Sequence, residues 1–173
     1  MTDFKRLIRD IPDFPKPGIV FKDITPLLAD ATAFRAMIDA LVAPYRGRVD
    51  TVLGVESRGF IIGAAAALAL GTGIAIVRKP GKLPFHTHRA SYELEYGSDT
   101  LEIHHDAVGD GHRVLLIDDL LATGGTASAT IELVQRCGGV VTACAFVIEL
   151  AFLDGRRRLA PHEVHSLVRY DGS

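Results

Sequence analysis

Residues 114–126 read Val-Leu-Leu-Ile-Asp-Asp-Leu-Leu-Ala-Thr-Gly-Gly-Thr, and this stretch decides the fold. Four apolar residues predict a buried strand that two acids bring to an end, and after a turn of small residues a helical pattern begins at Ala127. Because a helix start offers unpaired N–H groups and the positive end of a dipole, the glycine-rich turn suits a phosphate group. The two acids suit hydroxyl groups or a hard cation. The pattern therefore predicts a sugar phosphate bound at the carboxyl end of a strand.

The length and composition favour a compact soluble enzyme with a single domain over residues 1–173. The formal net charge is −2, so no strongly basic field predicts nucleic acid or an anionic membrane as a partner. The longest apolar run, residues 60–70, is much shorter than the ~20 residues that a membrane helix needs. Cys137 and Cys144 lie in apolar segments, which favours two buried thiols in a cytoplasmic protein.

Strand-like apolar runs alternate with helical patterns, which predicts an α/β fold with a central, mostly parallel sheet flanked by helices. Prolines break up the first 28 residues, so residues 1–28 are expected to form a small N-terminal hood over the sheet. Residues 80–89 show no period and predict a loop. The predicted strands are 49–55, 73–77, 114–117 and 140–148, the predicted helices are 60–70 and about 127–136, and the predicted hairpin pairs 92–96 with 100–104 around a turn at 97–99.

The segment 114–126 resembles the motif by which type I phosphoribosyltransferases bind 5-phosphoribosyl 1-diphosphate (PRPP). Four further segments are similar to those of the adenine phosphoribosyltransferases and occur in the same order. They are Pro-Gly-Ile-Val-Phe-Lys-Asp-Ile at 17–24, Glu-Ser-Arg-Gly-Phe at 56–60, Arg-Lys-Pro-Gly-Lys-Leu at 78–83 and Tyr-Glu-Leu-Glu-Tyr-Gly at 92–97. The resemblance covers almost the whole chain and implies the type I phosphoribosyltransferase fold. The dinucleotide fingerprint and the P-loop pattern are both absent.

The acid pair Asp118 and Asp119 follows the central predicted strand directly. Successive strand residues face opposite ways, so the two carboxylates should not address the same atom if the strand continues through both. One can accept hydrogen bonds from ribose hydroxyls while the other serves a metal-bound water or backbone N–H groups. The alternative is that both acids cap a strand end in solvent. The family resemblance implies that they lie near the ribose.

Two strand-to-helix junctions are suited to binding anions, and the first is the glycine-rich turn that follows the acid pair. At the second one, Ser57 and Arg58 precede a predicted helix, and the planar guanidinium suits diphosphate oxygens. By resemblance this loop clasps the leaving diphosphate, and a cis peptide bond before Ser57 is an option that the sequence leaves open. The residues that the resemblance assigns to the 5′-phosphate are Ala122, Thr123, Gly124, Gly125 and Thr126.

Three cations, Arg78, Lys79 and Lys82, cluster at the end of another predicted strand. Such a cluster is often only a solvated face, but with Arg58 and a diphosphate nearby we expect it to bind PRPP. The loop and hairpin over residues 80–104 are expected to act as a mobile lid that shields the reacting sugar from water. Its stretch His86-Thr87-His88-Arg89 departs most from the family pattern, and the further ligands that a metal would need are not evident in sequence.

Glu95 is the expected proton acceptor. The resemblance places this position near the base nitrogens, where a carboxylate can take a proton as N9 attacks C1′. The alternative is a surface carboxylate on a hairpin. Tyr96 can close over the ribose or simply pack the hairpin.

The purine is expected to lie between the hood and the sheet. Phe21 can stack on it, main-chain groups around Val20 and Lys22 can hydrogen-bond its edge, and Leu150 can pack against its other face. Ordinary core packing is the alternative for Phe21 and Leu150.

Together these assignments predict an enzyme that converts adenine and PRPP to AMP and diphosphate in purine salvage. The expected cofactor is Mg²⁺, held mainly by PRPP and water with Asp118 or Asp119 as an optional ligand. A homodimer is implied by the resemblance alone. Two other functions stay open: a transferase for 6-oxopurines, and a PRPP-binding regulator that lacks catalysis.

Overall fold

The computed structural model describes residues 3–93 and 98–172 of the chain. Its five α-helices within this part are α1 (Thr25–Ala29), α2 (Ala31–Val42), α3 (Arg58–Leu70), α4 (Gly125–Arg136) and α5 (Gly155–Arg158). Its strands there are β1 (Arg9–Ile11), β2 (Phe21–Asp23), β3 (Thr51–Val55), β4 (Gly73–Val77), β5 (Thr87–Glu93), β6 (Ser98–His104), β7 (Arg113–Leu121), β8 (Val140–Leu150) and β9 (Glu163–Tyr170). In the same ranges, no helix is long and apolar enough to cross a membrane.

A five-stranded parallel sheet forms the centre of the molecule, in the order β4-β3-β7-β8-β9. Two antiparallel pairs stand apart from it: β1 with β2 in the N-terminal segment, and β5 with β6. The prediction of a mostly parallel sheet flanked by helices is confirmed. Since the strands run parallel, their carboxyl ends share one edge of the sheet, where such folds bind their ligands.

The alternation of side chains along β7 divides the interior into two cores. Leu115 and Ile117 face the core that contains α2 and α3, whereas Val114 and Leu116 face the core that contains α4 and the β5–β6 hairpin. Since all four side chains are fully buried, β7 lies between two helical layers. This burial on both faces explains why the strand reads as a continuous apolar run.

The central strand is longer than predicted. Residues 114–117 were expected to end at the acid pair, but β7 continues through both acids to Leu121. Its ladder with β8 pairs Asp118 with Phe146 and Leu121 with Glu149, so main-chain hydrogen bonds to a longer neighbour extend the strand. The following helix also begins earlier than expected, at Gly125, and β8 runs on to Leu150.

The predicted antiparallel hairpin is confirmed, and β6 contains the whole predicted strand 100–104, but the bounds of both strands differ from the prediction. β5 begins at Thr87, inside the predicted loop, and β6 begins at Ser98, so Ser98 and Asp99 belong to a strand and not to a turn. The two strands pair from Thr87 opposite His104 to Glu93 opposite Ser98. Ala90 packs into the core beside α4, and this tertiary contact fixes the register in a stretch without a clear apolar period.

Two elements carried no assignment from the sequence. Helix α2 has a capped start, where the Asp30 carboxylate accepts a 2.9 Å hydrogen bond from the N–H of Ala33, and it buries Met37 and Leu41. The edge strand β9 pairs with β8 but is only half-buried over most of its length, so its apolar pattern is weak.

Candidate active site

A cavity of about 340 Å³ opens at the carboxyl edge of the sheet, between the ends of β3 and β7 and the starts of α3 and α4. The chain reaches it from several elements, because parallel strands deliver their carboxyl ends to the same place. The sequence-predicted residues that line it are Ser57, Arg58, Lys79, Asp118, Asp119, Ala122, Thr123, Gly124, Gly125 and Thr126. The structure therefore brings together residues from three separate segments.

The loop after β7 wraps around the start of α4 with its backbone exposed to the cavity. Gly124 has φ +80° and precedes the first helical residue, Gly125. A side-chain Cβ at Gly124 would come within 2.7 Å of the Gly155 carbonyl oxygen, and one at Gly155 would overlap the Ala122 carbonyl oxygen. Because α5 presses so closely on the loop, only glycine fits at both positions. The first turn of α4 contains no acid, so its dipole end is open to an anion.

The acid pair points its two carboxylates to different partners, as strand geometry requires. Asp119 is buried and forms an ion pair with the Arg58 guanidinium. Asp118 accepts a 2.9 Å hydrogen bond from the N–H of Asp119 and lies against Gly59 at the start of α3. Burial, and then the charge of Asp119, raise the pKa of Asp118 well above its ordinary value. The acids are part of the cavity wall and do not cap a strand in open solvent.

The loop after β3 is held by Glu56. Its carboxylate accepts hydrogen bonds from the Arg78 guanidinium at 3.2 and 3.4 Å and from the N–H of Lys79 at 2.9 Å. Burial favours a higher pKa for Glu56, but the Lys79 N–H and Arg78 outweigh it and lower the pKa below its usual value. The peptide bond between Glu56 and Ser57 is cis. Arg78 thus lies behind Glu56 and outside the cavity lining.

The cations that do line the cavity are already paired. Arg58 binds Asp119, and its guanidinium also stands 5.2 Å from the centre of the Phe21 ring. The Lys79 ammonium forms an ion pair with Asp99 on β6. Neither cation is therefore presented alone to an incoming diphosphate.

The expected base-binding residues lie outside the cavity lining. Phe21 is half-buried. Its ring makes an edge-to-face contact with the ring of Phe14, with 5.3 Å between the centroids. The Lys22 side chain turns away, since its ammonium contacts Asp10 at 2.8 Å and the Tyr170 ring at 4.3 Å. Val20 is exposed, and Leu150, at the end of β8, packs on the core of α2 and α3. Of these four residues, Phe21 is the one with a described contact to a lining residue, which is Arg58.

Three further predicted residues take no part in the described lining. Lys82 is exposed beyond the lining, where its carbonyl oxygen accepts a 3.4 Å hydrogen bond from Arg78. Glu95 and Tyr96 lie outside the described residues. Their assigned roles remain predictions.

Sequence reasoning missed Tyr92, which lines the cavity together with Glu56, Leu101 and Phe146. The Thr126 hydroxyl donates to the Tyr92 oxygen at 3.1 Å, and the Tyr92 hydroxyl donates to Asp99 at 3.2 Å. These contacts join the glycine-rich loop after β7 to the hairpin. Tyr92 begins the family-like segment 92–97, and this was the available signal; its contact with Thr126, 34 residues away, depends on the packing of the hairpin and cannot be read from the local sequence.

The cavity does not contain a complete protein-only metal site. Within residues 3–93 and 98–172, no group of three or more His, Cys, Asp or Glu side chains could hold a metal ion. The acid pair can contribute one or two ligands, as expected for an ion that arrives with substrate phosphates.

The family model for the phosphoribosyl transferase domain matches residues 22–168. The chain belongs to the phosphoribosyltransferase family, which fits a parallel sheet with a glycine-rich loop and a cavity at its carboxyl edge. It is 60% identical to the adenine phosphoribosyltransferase of Solibacter usitatus over 172 residues, which is 99% of each chain. Within the family, the chain belongs to the adenine phosphoribosyltransferases.

Solved structures agree with this assignment. The adenine phosphoribosyltransferase of Rhodothermus marinus is 53% identical and has a TM-score of 0.93, with 96% of each chain covered. The Saccharomyces cerevisiae enzyme, solved with an imino-altritol bisphosphate and adenine, is 40% identical with a TM-score of 0.91, covering 95% of this chain and 96% of that one. The Trypanosoma brucei enzyme was solved with AMP, pyrophosphate and ribose-5-phosphate; it is 25% identical with a TM-score of 0.88, covering 96% of this chain and 78% of that one.

Proposed function

We propose that this chain transfers the 5-phosphoribosyl group of PRPP to adenine, which gives AMP and diphosphate for purine salvage. One observation carries the proposal: a single cavity joins a glycine-rich phosphate loop, an acid pair and two cations at the carboxyl edge of the sheet. These groups match the 5′-phosphate, the ribose and the diphosphate of PRPP. The relatives that resemble the chain over nearly its whole length are adenine phosphoribosyltransferases.

The 5′-phosphate is assigned to the loop of Ala122, Thr123, Gly124, Gly125 and Thr126. The start of α4 supplies backbone N–H donors and a positive dipole end, and the two threonine hydroxyls can add donors. Since α5 fixes the loop from behind, the site needs little rearrangement. Anchoring at this end holds C1′ at a constant distance from the other groups.

Reaction at C1′ makes one bond and breaks another. N9 of adenine attacks C1′, the C1′–N9 bond forms, and the C1′–O bond breaks with its electron pair leaving on the diphosphate. We assign the proton lost by the base to Glu95. Asp118 and Asp119 lie where ribose hydroxyls can hydrogen-bond to them.

The leaving diphosphate is assigned to Ser57, Arg58 and Lys79 in the cavity, with Lys82 arriving from the lid. To reach the diphosphate, Arg58 and Lys79 have to exchange Asp119 and Asp99 for phosphate oxygens. Arg78 acts indirectly, because it holds Glu56, which in turn holds the N–H of Lys79.

We assign Mg²⁺ as the cofactor, held mainly by PRPP and water, with Asp118 or Asp119 as an optional ligand. The fit is favourable. Burial and the charge of Asp119 disfavour the ionised form of Asp118 and raise its pKa, and a nearby cation would stabilise that ionised form. When bound, the ion would neutralise charge that builds up on the diphosphate.

The base is assigned to the hood side of the cavity. Phe21 is the stacking partner, and its neighbour Arg58 links the base to the diphosphate groups. Main-chain groups around Val20 and Lys22 provide the edge contacts, and Leu150 closes the opposite face. Only the Lys22 backbone is available for this, because its side chain is engaged elsewhere.

The protein is further proposed to be a cytoplasmic homodimer. Ile61 and Leu68 on α3 are 50% and 85% exposed, which is the kind of apolar surface that a second copy can cover. Cys137 and Cys144 are free thiols, in keeping with a reducing compartment.

The direct test is AMP formation from adenine, PRPP and Mg²⁺, with hypoxanthine and guanine measured in parallel. Turnover with adenine alone is expected. Turnover with an oxopurine would keep the PRPP site and overturn the base assignment, since a 6-oxo group needs a hydrogen-bond donor where adenine's 6-amino group needs an acceptor. Binding of PRPP without turnover of any base would favour a regulator.

A further inference from the structure

We propose that Arg158 forms a second wall of the 5′-phosphate site and donates to the phosphate from the side of α5. The inference rests on the proposed function, because it takes the loop of residues 122–126 as the place where that phosphate binds. It adds a cation to a site that the sequence assigns to backbone groups and hydroxyls alone.

The position of Arg158 follows from the tight packing of α5 on the loop. Its Cβ lies 3.3 Å from the point where a side chain on Gly124 would begin. Its Nη1 lies 3.6 Å from the corresponding point on Gly125, and Cδ2 of Tyr92 lies 2.9 Å from the same point. The guanidinium and the tyrosine ring therefore stand beside the first residue of α4. A phosphate seated on the start of that helix comes within reach of Arg158.

The neighbouring arginines are engaged, but Arg158 is not. Arg156 pairs with the buried Glu149 at 2.6 Å and also donates to Ser166. Arg157 stands 3.9 Å from Asp154. Within the described part of the chain, the Arg158 side chain has no hydrogen bond or ion pair with the protein. Without a protein partner, the Arg158 guanidinium is available to an anion.

The backbone under Arg158 is fixed in place. Gly155 touches the Ala122 carbonyl on one side, and Leu159, which is fully buried, anchors the chain on the other. The helix thus holds the Cβ of Arg158 close to the loop, while Arg158 is exposed and lies just outside the residues that line the cavity. Arginine suits this position because its planar fork can donate two hydrogen bonds to one phosphate.

The test compares AMP with adenosine, which lacks only the phosphate, by calorimetric titration of the wild type, Arg158→Ala and Arg157→Ala. For Arg158→Ala we expect AMP affinity to fall about tenfold, as for the loss of one charge-assisted contact, with adenosine affinity unchanged. Arg157→Ala removes the same charge one residue away and should leave both affinities unchanged. Arg158→Lys should restore part of the AMP affinity. Equal AMP affinity in the wild type and Arg158→Ala, or an equal loss in Arg157→Ala, would overturn the proposal.

A second titration with ribose 5-phosphate separates this proposal from the proposed function, because that ligand contains no base. If the wild type makes AMP but ribose 5-phosphate binds equally to the wild type and Arg158→Ala, only the role of Arg158 is wrong. If the wild type makes no AMP but binds ribose 5-phosphate about tenfold more tightly than Arg158→Ala does, the role of Arg158 stands and the assignment of the reaction is wrong.

Discussion

The loop after β7 and the loop after β3 lie at the same edge of the sheet, yet their polar groups are in different states. Around Gly124 and Gly125 the donors are backbone N–H groups of a helix start, held in place by α5. Around Ser57 the candidate donors are long side chains, and Arg58 and Lys79 are paired with carboxylates of the protein. The first site is preorganised for its anion, whereas the second has to exchange partners when its anion arrives.

This difference matches the two tasks. The 5′-phosphate stays attached throughout the reaction, so a rigid site that fixes the ribose serves it best. The diphosphate has to be bound, stabilised as it leaves and then released. Cations that can return to Asp119 and Asp99 supply a way to let it go. The Lys79–Asp99 pair is partly exposed, and such a pair contributes only about 0.2–1 kcal/mol, so it exchanges at little cost.

The largest effect is expected for Arg58→Ala, which removes a contact to the leaving group. Turnover at saturating PRPP should fall by about 10²–10³-fold, the typical loss when one electrostatic contact to charge that develops in the transition state is removed, and turnover of Lys82→Ala should fall by the same order. Steady-state AMP formation measures both. Arg46→Ala, which removes an arginine paired with Asp39, is the control for lost charge. Near-full turnover of Arg58→Ala would show that this guanidinium does not contact the transition state.

A smaller but still large effect is expected for Gly124→Ala, which tests the rigid site. The new Cβ meets the Gly155 carbonyl and also requires a left-handed backbone, so the loop has to shift, and a shift of about 1 Å can cost ~10²-fold in rate. Gly47→Ala is a matched control, since Gly47 has φ +71° but nothing within 4 Å of its Cβ position. Equal losses in the two variants would mean that backbone strain alone matters.

An effect of opposite sign is expected for Asp99→Asn, which releases Lys79 from its carboxylate. The amide keeps an oxygen for the Tyr92 hydroxyl but removes the charge that competes with diphosphate. Diphosphate should therefore bind about 2–5-fold more tightly, in line with the small free energy of an exposed ion pair. Inhibition of AMP formation by diphosphate gives the constant. Weaker binding in the variant would mean that Asp99 positions Lys79 and does not compete for it.

The smallest effect concerns stability against pH. Because the folded-state pKa of Asp118 is raised, its contribution to stability is present at low pH and is lost as pH rises through that pKa. Asp118→Asn removes this loss. The melting temperature of Asp118→Asn should therefore match that of the wild type near pH 4 and exceed it at pH 7–8. Each kcal/mol gained in the free energy of unfolding raises the melting temperature by about 2–4 °C.

Asp50 supplies the reverse case for the same measurement. Hydrogen bonds from Arg113 lower its pKa, so its contribution is present at neutral pH and is lost in acid. Asp50→Asn should melt below the wild type at pH 7, with a deficit that shrinks as pH falls. If Asp118→Asn behaved in the same way, the carboxylate of Asp118 would be stabilising and the account of its surroundings wrong.

The strand–turn–helix unit at residues 114–126 was predictable from sequence because its parts are contiguous: an apolar strand, two acids, a glycine turn and a helix follow one another within thirteen residues. The same locality makes the parallel sheet predictable. The contacts of Lys79 with Asp99 and of Tyr92 with Thr126 were not, since they join separate segments through packing of the hairpin on α4. The same holds for Arg158, whose importance depends on where Gly155 meets the loop.

The comparison between the two loops can be tested most directly by a crystal structure of the protein with PRPP and Mg²⁺ in the absence of adenine. We predict that Arg58 and Lys79 contact diphosphate oxygens with their pairs to Asp119 and Asp99 broken, while the backbone of residues 122–126 superposes on the present structure. Intact ion pairs beside a bound diphosphate, or a phosphate loop that rearranges to bind, would contradict the account.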